Sequence, residues 1–291
     1  MEKFIVLLVL LAVSFTSPQT DQRSTQPIPV CHTTSAASAP DEMQLLASTK
    51  EFQLLHENPL PFHFTSKAGG EMVQFKTPDG KMANGFSLKA SKPSRKYLFV
   101  FQEWWGLNDQ IKQEAEKYYN SLDGKVNVLA LDMYDGKVAT TREDAGKLMS
   151  SASPERLENI VKGALDMAGN NAQIASIGWC FGGGWSPRSA LLEGQKAVAC
   201  VIYYGMPVRD VEKLKMLNTD VLGIFGSQDQ GIPPATVAEF EKAMKAAGKE
   251  VTVKMYDAVH GFANPSNPKH DKEATADAYK LSSEYLKKRL L

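Results

Sequence analysis

The chain has 291 residues, 43% of them hydrophobic and 23% charged, which is ordinary for a soluble globular protein able to bury a core in one large domain or two small ones. Lysine plus arginine and aspartate plus glutamate both number 33, so the net charge is zero. That balance gives no electrostatic reason to expect nucleic acid or an anionic membrane surface as a partner, and no charge block suggests an acidic or basic tail.

Residues 1–17 stand apart. Lys3, partly offset by Glu2, precedes the apolar run FIVLLVLLAVSF at 4–15, and small and polar residues follow. A run of that length is too short for a hydrocarbon core of ~30 Å. It suits a secretory signal peptide, so export to the periplasm or outside is expected, with no stable membrane insertion after cleavage; a buried N-terminal helix is the plainer alternative. Residues 18–66 read as a linker with a peripheral helix. The part up to Pro40 is rich in Thr, Ser, Pro, Gln and Ala, and 41–55 carries helix-like apolar spacing behind a plausible Asp41 cap. Residues 71–77 and 82–89 alternate weakly around Pro78-Asp79-Gly80, a hairpin signal.

From residue 96 the grammar becomes strand, helix, strand. Apolar runs at 97–102 (YLFVFQ), 126–131, 174–177, 197–204 (AVACVIYY), 221–225 and 251–256 alternate with helical stretches at 109–122, 154–168, 235–247 and 274–290. Continuous apolar strands between amphipathic helices predict an α/β domain over 67–291: a mostly parallel sheet with helices on both faces. The three cysteines, Cys31, Cys180 and Cys200, form no disulfide framework. A Cys31–Cys200 bridge is open in an exported protein, although Cys200 falls in a buried strand. No C-x-x-C or clustered His/Cys spacing suggests a metal, and no cofactor is expected. The sequence specifies no oligomeric state.

In such sheets the chemistry sits outside the carboxyl ends of the strands. At 173–184 (QIASIGWCFGGG) a strand runs into Gly178-Trp179-Cys180-Phe181-Gly182. G-x-C-x-G is the thiol version of the nucleophile elbow, a strained strand-to-helix turn that raises one reactive atom above the sheet edge. Alone it fits a buried structural cysteine equally well. The other strand ends decide. Glu103-Trp104-Trp105 follows the first parallel strand, Asp132-Met133-Tyr134 the second, Asp229 the fifth and His260 the last. The order Cys180…Asp229…His260 is the nucleophile–acid–base order of the α/β-hydrolases. Of the five histidines only His260 follows a strand. Asp257 is a rival acid, and Asp229 alternatively a helix cap. Pro187, inside the helix behind the elbow, is expected to kink it at a cost of ~3 kcal/mol.

The segments 103–108 (EWWGLN), 178–183 (GWCFGG), the Gly-x-x-Asp at 226–229 and His260-Gly-Phe-Ala together resemble the dienelactone hydrolases, or carboxymethylenebutenolidases, over about residues 70–290. The resemblance implies an α/β-hydrolase fold and cleavage of a small ester or lactone through Cys180, His260 and Asp229 and a thioester intermediate. It also implies that Glu103 hydrogen-bonds the resting thiol and helps form the thiolate. Backbone N–H groups of Trp104 and Phe181 would form the oxyanion hole, with Trp105, Tyr134 and Asn264 bordering the substrate. One departure bears on specificity: Asn264 stands where dienelactone-cleaving members place a carboxylate-binding arginine. A peroxide-sensing thiol protein and a non-catalytic binding module of the same fold are the competing classes.

Overall fold

The computed structural model describes Met1 and residues 42–291; the expected signal peptide, the expected linker to residue 40, the Asp41 cap and Cys31 lie outside the described residues. The first described elements are two short helices, α1 (Glu42–Ala47) and α2 (Lys50–Leu54), where one peripheral helix was expected. The break between them is made by Ser48 and Thr49: Thr49 accepts the Phe52 N–H on its side-chain oxygen and so starts a new helix.

A hairpin follows, β1 (Glu71–Lys76) and β2 (Met82–Leu88), closed by Thr77 N–H to the Lys81 carbonyl at 2.9 Å. The remaining strands are β3 (Lys96–Phe101), β4 (Asn127–Leu131), β5 (Gln173–Trp179), β6 (Ala197–Tyr203), β7 (Val221–Gly226) and β8 (Val251–Tyr256). Together they make one eight-stranded sheet in the order β1-β2-β4-β3-β5-β6-β7-β8. The hairpin joins antiparallel through β2 and β4, and every pairing from β4 to β8 is parallel. After β3 the chain steps outward to β4 and returns on the other side to β5, so the order reverses at β3. That reversal opens a crevice at the carboxyl ends, the place where ligands bind in such sheets.

β3 and β5 to β7 are buried along nearly their whole length, which requires cover on both faces. The cover comes from α3 (Asp109–Ser121), α4 (Arg142–Ser151), α5 (Pro154–Ala168), α6 (Phe181–Glu193), α7 (Val211–Lys215), α8 (Pro234–Ala246) and α9 (Lys272–Leu290). Side-chain caps fix where several begin: Asn108, Thr141, Ser153 and Asp271 each accept an N–H of the first turn. Tyr118 of α3 and Ser282 of α9 share a buried hydroxyl contact at 2.7 Å, which ties those two helices together over the sheet. Pro187 does not break α6, which runs unbroken from Phe181 to Glu193. Every residue from Phe181 to Pro187 is buried, so packing holds the turn that the missing N–H weakens.

Candidate active site

β5 ends at Trp179 and α6 begins at Phe181, which leaves a single residue, Cys180, to make the turn. Its backbone sits at φ 53°, ψ −114°, a region costly for any residue with a side chain. The surroundings enforce it. The Cys180 N–H donates to the Tyr203 carbonyl at 3.0 Å. A Cβ on Gly178 would stand 2.2 Å from the Gly182 carbonyl oxygen, and one on Gly182 only 2.3 Å from that of Phe101. Glycine at these two positions is therefore what lets α6 press against β3 and lift the thiol above the sheet edge.

Asp229 follows β7 and His260 follows β8, adjacent strands whose ends bring the two side chains together. His260 Nδ1 lies 2.6 Å from Asp229 Oδ2, with both side chains almost wholly buried. Burial alone would raise the Asp229 carboxyl, but His260 and the N–H groups of Ile232 and Gly231 hold it below the usual carboxylate range. Burial likewise opposes a charged His260; Asp229 and Cys180 outweigh it and lift the imidazole well above the ordinary histidine range. The Cys180 sulfur and one ring nitrogen of His260 lie within 4.8 Å of each other. Asp257 is engaged elsewhere, accepting from Ser227 Oγ at 3.2 Å and Gln228 Nε2 at 2.8 Å.

Glu103, just past β3, is buried against the same centre, and burial pushes its carboxyl up to about 7. Its hydrogen bonds go to the Tyr204 hydroxyl at 3.2 Å and to the Asn264 amide, not to the thiol as the resemblance implied. Asn264 lines the cavity over Cys180, as expected, and there donates to Glu103. Phe181 is the first residue of α6, so its N–H has no acceptor within the helix. The Trp104 N–H donates to no backbone carbonyl among the described residues. Trp105 packs edge-on to Trp104 at 5.0 Å and lines the cavity over Cys180. Tyr134 is absent from that lining; its ring rests 5.2 Å from Phe181, one residue past the elbow.

Residues 84–290 match the dienelactone hydrolase family. The chain belongs to the dienelactone hydrolase family. It is therefore a hydrolase, an enzyme of small ester or lactone substrates. Among relatives, a protein of Aquifex aeolicus (strain VF5) whose name proposes a carboxymethylenebutenolidase is 24% identical over 228 residues, covering 75% of this chain and 98% of its own. Protein usf of Aquifex pyrophilus is 27% identical over 234 residues, covering 76% and 99%. Among solved structures, a dienelactone hydrolase-like promiscuous phosphotriesterase from metagenomic libraries superposes with a TM-score of 0.65 at 20% identity, over 76% of this chain and 99% of that one. Dienelactone hydrolase from Anabaena variabilis superposes with a TM-score of 0.56 at 18% identity, over 78% and 100%. The α/β-hydrolase fold follows from both.

The dienelactone hydrolase match begins after α2, yet α2 and the residues behind it reach the site. Phe52 packs edge-on against both Trp104 (5.6 Å) and His260 (5.9 Å). His56, which follows no strand, tilts against Trp104 at 4.2 Å and stands edge-on to His260 at 5.0 Å. Burial, and then the neighbouring His260, hold its imidazole down to about 3, so it is neutral at ordinary pH. Phe52 and His56 are four apart in sequence, a spacing that brings them together but says nothing of where they dock. Tyr204, at φ 35° just beyond β6, is the other missed contributor.

Proposed function

We propose that this hydrolase cleaves small, neutral esters or lactones by covalent catalysis, with Cys180 as nucleophile, His260 as base and Asp229 as its orienting acid. The observation that carries the reading is the 2.6 Å Asp229–His260 pair beside a cysteine held at the tip of a strained elbow. A hydrolase needs that alignment; a peroxide-sensing thiol does not, and a binding module has no use for the elbow's strain.

His260 Nε2 takes the thiol proton, and the thiolate attacks the carbonyl carbon to form a C–S bond. The N–H groups of Trp104 and Phe181 receive the oxyanion. The tetrahedral species collapses, the C–O bond breaks, and the leaving alkoxide takes the proton from His260. Water, deprotonated by His260, then attacks the thioester, and acid and free thiol result. Asp229 keeps the imidazole in the tautomer that presents Nε2 to sulfur and stabilises the imidazolium. Glu103, with its carboxyl near 7, holds or releases a proton beside this chemistry without a large energy cost.

The cavity over Cys180 has a volume of only about 20 Å³, room for a single water. An ester enters when one wall moves, and His56 and Glu57, just beyond α2, form one of those walls. Export by the N-terminal segment is part of the proposal and rests on its sequence alone. A panel of activated aryl esters and lactones, assayed with the wild type and Cys180→Ala, tests the reading. Turnover confined to the wild type is expected; equal turnover in both, or peroxide consumption in place of ester cleavage, overturns it.

A further inference from the structure

The cavity that is too small for an ester is lined by residues that metal ions bind. One ring nitrogen of His56, one of His260 and the sulfur of Cys180 all lie within 4.8 Å of one another. Glu103 lines the same space of about 20 Å³. The hydrogen bonding decides which nitrogens are offered. His56 Nδ1 lies 2.9 Å from the Phe52 carbonyl, which can only accept, so Nδ1 carries the proton and Nε2 a lone pair. His260 Nδ1 is likewise committed to the Asp229 carboxylate. Both Nε2 atoms are buried, and neither has a hydrogen-bond partner. His260 Nε2 faces the thiol it serves, but the buried His56 Nε2 lone pair has no partner and no part in the hydrolysis, a cost that an ion bound between them would offset.

We infer that His56, Cys180 and His260 form a reversible zinc site, in which a bound Zn²⁺ takes the nucleophile and the base as ligands and switches the hydrolase off. Nitrogen and sulfur donors favour a borderline-soft ion such as Zn²⁺ over Mg²⁺ or Ca²⁺, which want oxygen. With Zn–S near 2.3 Å and Zn–N near 2.0–2.1 Å, tetrahedral ligands stand about 3.5 Å apart. The three donor atoms therefore need to close by about 1 Å, a side-chain adjustment. Each histidine is already oriented by a second partner, a carboxylate for one and a backbone carbonyl for the other, the arrangement that zinc-binding imidazoles use. Glu103 lines the cavity but stands outside the three-donor cluster, its oxygens taken by Tyr204 and Asn264, so a water would complete the tetrahedron. On binding, Zn–S and Zn–N bonds form, and the thiol proton is released to solvent. His56 lies outside residues 84–290, the stretch that matches the family.

The site is tested without substrate, so its failure is separate from any failure of the hydrolase reading. Apo protein is titrated with Co²⁺, read by the thiolate-to-cobalt charge-transfer absorption, and with Zn²⁺ against a chelating indicator. One ion per chain is expected, with a charge-transfer band that Cys180→Ser abolishes and Zn²⁺ displaces. His56→Ala should weaken Zn²⁺ binding about a hundredfold. His56→Gln serves if the alanine variant fails to fold, as judged by circular dichroism. A Cys31→Ser, His32→Ala double variant should bind as the wild type does. No stoichiometric ion in the wild type, or unchanged affinity in the folded His56 variant, or loss of binding in the Cys31, His32 variant, overturns the inference.

Discussion

His260 Nδ1 sits 2.6 Å from Asp229 Oδ2, while the other carboxylate oxygen accepts the N–H groups of Gly231 at 2.8 Å and Ile232 at 2.9 Å. The carboxylate is fixed on both sides, so it cannot swing away when the imidazole becomes charged. In Asp229→Asn an amide could donate to Nδ1 and turn the ring into the tautomer whose Nε2 already carries a proton. We expect kcat to fall by about 10³–10⁴. His260→Ala should be at least as damaging, and the double variant little worse than His260→Ala alone, because the residues act as a unit. Asp257→Asn, at an exposed aspartate bonded to Ser227 and Gln228, should stay within about twofold of the wild type. A crippled Asp257→Asn with a healthy Asp229→Asn reverses the assignment.

The elbow makes a stability prediction. Gly182→Ala puts a methyl 2.3 Å from a backbone oxygen of β3, whereas Gly184→Ala meets its nearest atom at 3.2 Å. Backbone cannot yield as a side chain can, so Gly182→Ala should cost about 1–3 kcal/mol or more. Thermal melts of the two variants check this. The Tm of Gly182→Ala should fall several degrees further, and equal melting temperatures would count against the close approach of α6 to β3.

Glu193, at the far end of α6, gives a pH dependence. It is buried with one oxygen on Ser189 Oγ at 2.6 Å and the other without a partner, and burial pushes its carboxyl from 4.5 to about 8. A folded-state value above the unfolded one means that the stabilising contribution is complete below about 4.5 and is lost as pH rises through about 8. Glu193→Gln has no charge to bury. It should melt close to the wild type at pH 5 and several degrees above it at pH 9, while equal melting temperatures at pH 9 would contradict the burial of a charge there.

Asn264 and Glu103 bear on the substrate. The Asn264 amide is already bonded to Glu103, a buried carboxyl, so a carboxylate-bearing substrate would find no guanidinium and an amide donor already engaged. Arg142, which could supply a positive charge, reaches the His56 carbonyl at 3.4 Å from outside the cavity. A charge-assisted hydrogen bond contributes ~1.5–3 kcal/mol, so its absence should lower kcat/KM for an anionic dienelactone about ten- to a hundredfold relative to its methyl ester. Preference for the free acid would overturn this and direct attention to Arg142.

Much of this was legible in the sequence because apolar strands and tight glycine turns leave local signals. The runs at β3, β6 and β7 were read directly, and strand ends announced Cys180, Asp229 and His260 one by one. What escaped was contact between segments far apart in the chain. Nothing in residues 50–56 says that Phe52 and His56 will lie over Trp104 and His260, since a short amphipathic helix reads the same wherever it docks. A ligand set at positions 56, 180 and 260 obeys no spacing rule and shows only when the fold is assembled. The pairing of Asn264 with Glu103 is equally non-local: the resemblance marked Asn264 as standing where an arginine was expected, but not what that side chain would bond.

The central claim is that an acyl group passes through the Cys180 sulfur. Rapid mixing with an activated aryl ester, acid quench, and intact-mass and peptide mapping test it most directly. An acyl adduct on Cys180 is expected within the first turnover, with no adduct and no turnover in Cys180→Ala, and a longer-lived adduct in wild type supplied with a slowly hydrolysed acyl group. Undiminished turnover in Cys180→Ala, or an adduct mapped to any other residue, would contradict it.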